Sequence, residues 1–231
     1  MSILAHGLRA AAGNTGGGGE FSVSFITSGG DTTNSSSYTF TDVDFGTADS
    51  TREIFVLMNW TSSSSRSISS ASIGGVTATV INGSNGTTSG CGMIHAEVPT
   101  GASGTISVTM SNTCNSLNYG VYSVTNRQTI GNNYTDVASS ANFYPSSVSN
   151  SSNTINAGGF ALGSYGVNQN KTYSSSPYTL DNYNTAPSSE NGWIVYVSYI
   201  NTGSTQTPTQ VLTWTPSGTV GARWGLYAFD S

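Results

Sequence analysis

Charge is what this chain has least of. Lys, Arg, Asp and Glu make up 7% of its 231 residues, against about 25% in ordinary globular proteins. There is a single lysine, Lys171, and the five arginines are scattered, so no cluster of basic residues exists to track a phosphate backbone. The net charge of −5 argues further against nucleic acid, and no polybasic run suits an anionic membrane surface. Scarce charge does not imply disorder here, because 35% of the residues are hydrophobic and 10% aromatic. The composition reads as a folded protein with an uncharged surface of Gly, Ser, Thr and Asn.

Histidine is nearly absent too. A Ser-His-acid hydrolase would have to use His6 or His95, the two present. His6 lies in a glycine-tethered terminus that cannot hold a base in place. His95 sits two residues from Glu97 on a strand-like run, and no G-x-S-x-G elbow supplies a nucleophile. The expectation is a half-exposed strand histidine and no enzyme. Asp42, Asp44 and Asp49 lie close in sequence, but no D-x-D-x-D-G loop with a closing Glu accompanies them, so neither metal nor cofactor is expected.

Cysteine occurs twice, at Cys91 and Cys114, without the companion ligands of a zinc site. If Cys91–Val98 and Thr105–Ser111 form a hairpin around residues 99–104, the two fall near its open end. A disulfide and a pair of buried thiols both fit that arrangement.

Against these absences stand many short β-like runs. Phe21–Ile26 alternates apolar and polar residues, and Asn34–Ser37 reads as loop. Tyr38–Phe40 and Val43–Phe45 form a short extended region. Glu53–Trp60 is continuously apolar from Ile54, as in a strand covered on both faces. Ala71–Ala78 reads as a hairpin turning at Gly74-Gly75, and Asn82–Gly90 as a long loop. Tyr119–Val124, Phe160–Leu162, Trp193–Ile200, Val211–Trp214 and Arg223–Phe229 add further strands, with Trp193–Ile200 the counterpart of Ile54–Trp60 and both central in a sheet. No helical period of useful length follows the terminus, and no exact internal repeat is visible.

This pattern predicts an all-β fold: an antiparallel β-sandwich or jelly roll as a single domain over residues 20–231. Ala138–Asn156 is the rival boundary, reading equally as a long loop. Residues 1–19 form a short arm ending in a four-glycine run. The arm does not read as a signal peptide and is too short to span a bilayer. Its Ile3, Leu4 and Leu8 make an apolar edge, with Arg9 placed to reach a carboxylate, so it reads as an assembly arm that orders on a partner.

The run Arg52–Trp60, the turn segment Ser72–Val80, Ile94–Val98 with Pro99-Thr100-Gly101, and Gly104–Val108 together resemble a pattern of tailed-bacteriophage virion β-sandwich proteins. The closing Arg223–Phe229 is similar to their terminal strand. The resemblance covers most of the body, and its motifs are structural, with no catalytic residue to transfer. It implies a structural protein located in the virion, a capsid decoration (cement) protein or a tail-fibre component, partnered by capsid or tail subunits and homo-oligomeric.

Two alternatives rest on the tyrosines. Tyr165, Tyr173, Tyr178 and Tyr183 lie in a loop-rich segment beside several asparagines, where stacking rings and amides could present a surface for host glycans. That would suit a tail component, or a secreted carbohydrate-binding or glycan-cleaving module.

Overall fold

The computed structural model describes residues 20–86, 88–127, 135–144, 147–150, 154–167, 171–185, 193–215 and 220–229. Among them the chain is all β and antiparallel. In chain order the first nine strands are β1 (Ser22–Asp31), β2 (Ser35–Asp44), β3 (Glu53–Thr61), β4 (Ile68–Ile73), β5 (Val76–Thr77), β6 (Thr79–Asn85), β7 (Ser89–Glu97), β8 (Ser103–Cys114) and β9 (Ser116–Thr125). They build a five-stranded sheet, β1-β9-β3-β7-β6, and a four-stranded sheet, β2-β8-β4-β5. Apolar side chains from both sheets, among them Ile54, Val56, Trp60, Ile94, Ile106 and Val108, share one buried core. These two sheets are a sandwich.

The remaining strands are β10 (Thr135–Tyr144), β11 (Ser147–Asn150), β12 (Phe160–Val167), β13 (Thr172–Ser176), β14 (Thr179–Thr185), β15 (Trp193–Ile200), β16 (Gln210–Thr215) and β17 (Val220–Phe229). They form a second sandwich, with sheets β10-β17-β12-β15-β14 and β11-β16-β13 around a core that includes Tyr165, Val195, Leu212, Trp214 and Leu226. A third buried cluster joins the two halves. It is contributed by the five-stranded sheets alone, with Phe55, Leu57, Met93 and Tyr122 meeting Phe160, Leu162, Tyr196 and Tyr227. The molecule is thus four sheets deep, and its two five-stranded sheets are each covered on both faces.

The sequence explains this layering. A strand buried on both sides must be apolar at successive positions rather than alternate ones. In β3, Ile54, Val56, Met58 and Trp60 enter the first sandwich core, while Phe55 and Leu57 point to the second sandwich. The hairpin at Gly74-Gly75 forms as expected, with φ of 59° and 84° and Ile73 paired to Val76. Tyr38–Phe40 and Val43–Phe45 fall largely in one strand, β2, kinked between Phe40 and Val43 where Asp42 takes a positive φ.

Several expectations are corrected. Ser35–Ser37 belongs to β2 rather than a loop, and most of Asn82–Gly90 is strand. The segments around residues 99–104 do not pair as a hairpin: β7 lies in the five-stranded sheet and β8 in the facing one, so the chain crosses between layers there. β15 lies inside its sheet, but the middle strand of that sheet is β12, the counterpart of β3. β10 and β11 occupy much of the rival boundary Ala138–Asn156 and pair within the second sandwich.

The strand order repeats although the sequence does not. Replacing β1, β9, β3, β7 and β6 by β10, β17, β12, β15 and β14 reproduces the second five-stranded sheet, and β2-β8-β4 becomes β11-β16-β13. The one clear echo in sequence is Tyr119-Gly-Val-Tyr-Ser-Val124 in β9 against Trp224-Gly-Leu-Tyr-Ala-Phe229 in β17.

Candidate functional site

Where the two sandwiches meet, three ionisable residues are buried together. Glu53 opens β3, His95 lies on the neighbouring β7, and Arg127 follows the end of β9. His95 Nδ1 lies 2.5 Å from Glu53 Oε1, and Arg127 Nη1 donates to Glu53 Oε2 at 2.9 Å. The three side chains are nearly closed to solvent, Glu53 retaining 12% of its exposure. Burial works to raise the Glu53 carboxyl, but the hydrogen bond and charge of His95, backed by Arg127, hold it below its ordinary value.

Aromatic rings complete the enclosure. The His95 ring stacks on Phe55 at 5.1 Å and 5°. The Arg127 guanidinium lies over Phe55 of the first sandwich and over Phe160 and Phe229 of the second, at 5.9, 5.9 and 5.3 Å. One cation from the first half is therefore held by rings from both. His95 Nε2 is buried without a partner, and among the described residues no serine hydroxyl bonds to the imidazole. The arrangement anchors one face against another.

His95 is thus 5% exposed, not half-exposed, and its partner is Glu53 rather than Glu97, which points to solvent. Register sets Glu97 directly across from Glu53 at the exposed end of β7, whereas His95, across from Phe55, lies two positions further in and reaches Glu53 diagonally.

Three of the four tyrosines expected on a glycan surface are core residues. Tyr165, Tyr173 and Tyr178 are 0%, 3% and 1% exposed within the second sandwich. Tyr165 hydrogen-bonds to buried Gln210, and burial pushes the Tyr173 hydroxyl up to about 12. Tyr165 and Tyr173 lie in strands β12 and β13, where alternation turns their rings inward, while Tyr178 is buried from the bend between β13 and β14. Tyr183 pairs with Val195 in β14, and its side chain lies outside the described residues.

Cys91 and Cys114 are both buried, and no disulfide joins them. Cys91 shares the β7 face of Met93, toward the second sandwich, while Cys114 packs in the first sandwich core. Opposite faces of one sheet exclude a disulfide between them, and burial lifts the Cys114 thiol to about 11. Asp42 and Asp44 are exposed, Asp44 and Asp49 accept bonds from nearby backbone N–H groups, and no metal-holding group of three ligands occurs among the described residues. Ile3, Leu4, Leu8 and Arg9 lie outside the described residues.

Sequence reasoning overlooked Arg52. It is 1% exposed, and its guanidinium donates to the carbonyls of Val98, Gly46, Thr47, Thr100 and Gly101 at 2.6–3.0 Å. It ties two loops to the end of β3. The signal available was an arginine abutting an apolar run in a chain with so few charges. Glu53 and Arg127 offered no such signal, being 74 positions apart.

A charge-poor, all-β body of two stacked sandwiches is the class that these observations define. No protein-family model, curated protein or solved structure matches the chain.

Proposed function

We propose that this chain is a virion structural protein of a tailed bacteriophage, a capsid decoration protein held to the shell by its N-terminal arm. The observation that carries this reading is where the apolar surface lies. Among the described residues Val76 is the one exposed large hydrophobic, so the described part of the body presents little apolar area with which to dock. The arm supplies Ile3, Leu4 and Leu8 for a partner, carried ahead of the glycine run.

The outer sheets suit such a role. Across three strands of one outer sheet, Thr39, Ser107 and Ser72 stand side by side, and across the other Ser147, Thr213 and Ser174. Uncharged hydroxyl rows meet neighbours or solvent without large desolvation costs. Stabilisation would then be mechanical: each docked arm binds the assembled shell and not its dissociated subunits, shifting the balance toward assembly. The alternative of a glycan-binding tail component has lost three of its four tyrosines to the core.

Shells of the encoding virus, purified without the protein and then mixed with it, test the reading. Added protein should raise their resistance to heat and osmotic shock. Shells that rupture at the same temperature and dilution with and without it would reject the decoration role.

A further inference from the structure

Part of the contact between the two sandwiches is reciprocal, although β17 lies closer to β7 and β6 than β9 does to β15 and β14. β1 meets β14, and β10, the counterpart of β1, meets β6, the counterpart of β14. β3 lies against β12, its own counterpart. Tyr122 on β9 donates across the seam to Asp181 on β14 at 2.8 Å. Tyr227, its equivalent on β17, reaches the other way to β6, where a Cβ at Gly83 would lie 2.7 Å from the tyrosine hydroxyl. Contacts in which i meets j and j meets i mark a twofold, isologous interface.

The chemistry along this twofold has diverged. Register equates Glu53 with Phe160 and Val124 with Phe229. One face therefore offers the Glu53–His95–Arg127 cluster, and the other offers rings that receive Arg127. Pairing the first sandwich with a copy of itself would bring buried charge against buried charge and leave both arginines without the rings of Phe160 and Phe229. The scaffold is that of a homodimer, while the side chains select the unlike partner.

We propose that the chain is two twofold-related partners joined covalently. The inner face of each five-stranded sheet is a docking surface for the other sandwich, and the pairing persists when the connection across residues 128–134 is cut.

The test places a protease site within 128–134 of the full chain, folds the protein intact and then cleaves it. Light scattering after size exclusion should show one species with the mass of the whole chain at about 1 µM, its β circular dichroism unchanged. Halves that separate at that concentration, or lose their β signal on cleavage, would overturn the proposal. In the Gly120→Leu chain a Cβ would lie 2.4 Å from the Tyr196 ring. Cleavage of this variant should release two halves that keep their β signal, a loss of affinity on the order of a hundredfold or more. Persistence of one species in this variant would show that the seam is not what holds the halves together.

Discussion

Glu53 joins His95 and Arg127 through its two carboxylate oxygens, at 2.5 and 2.9 Å, and Arg127 in turn rests on Phe160 and Phe229 of the other sandwich. A carboxylate in β3 thereby orients the cation that the second half receives. Glu53→Gln should destabilise the protein by about 3 kcal/mol, because it leaves a buried guanidinium without its counter-charge. Urea unfolding at neutral pH measures this. A loss within a few tenths of zero would mean that Glu53 does not hold Arg127 in place.

The same group sets an acid limit. Its folded-state value is lowered by His95 and Arg127 in spite of burial. Its contribution is therefore fully present above the unfolded glutamate value of about 4.3 and is lost as pH falls through the folded value. The urea midpoint of the native chain should fall more steeply below that pH than the midpoint of Glu53→Gln. Parallel curves for the two proteins would contradict the assignment.

Asn59 offers a prediction of opposite sign. It stands opposite Asn118 on the covered face, 5% exposed, with neither amide atom partnered. A buried amide without partners costs stability, so Asn59→Leu, close in volume, should raise stability by about 1 kcal/mol. Thermal and urea unfolding would show it. Destabilisation by a similar amount would mean that the amide is satisfied in solution.

Tyr165 separates core from surface. Tyr165→Ala should cost about 4 kcal/mol through the cavity it leaves. Glycan-array profiles of the native protein and of a folded Tyr165→Phe variant should be the same. A glycan signal abolished by Tyr165→Phe with stability intact would restore the surface reading.

Arg52 is predicted to be structural. Arg52→Met removes donors from six carbonyls, that of Phe45 included, and should destabilise by about 3 kcal/mol, with hydrogen exchange rising first in residues 45–47 and 98–101. Protection unchanged in both loops would show that the guanidinium does not secure them.

Local structure was legible in the sequence where one strand or turn decided it. The Gly74-Gly75 turn and the doubly covered run of β3 follow from φ requirements and from apolar continuity. What was hidden depends on which strands share a layer. The step from β7 to β8 looks like a hairpin because its two flanks alternate well, yet they belong to facing sheets, and with that pairing went the basis for bringing Cys91 near Cys114. The tyrosines misled because a Ser- and Asn-rich strand in a charge-poor protein carries the same residue types as a loop. The Glu53–His95–Arg127 cluster is assembled from three strand ends distant in sequence, and no local pattern announces it. The duplicated strand order left its one trace in Tyr119–Val124 and Trp224–Phe229, too short to read as a repeat.

Co-sedimentation with purified shells, comparing the full chain with one lacking residues 1–19, tests the decoration role most directly. The full chain should pellet with shells and the truncated one should stay in the supernatant. Both forms remaining in the supernatant, or both pelleting alike, would contradict an arm-anchored decoration protein.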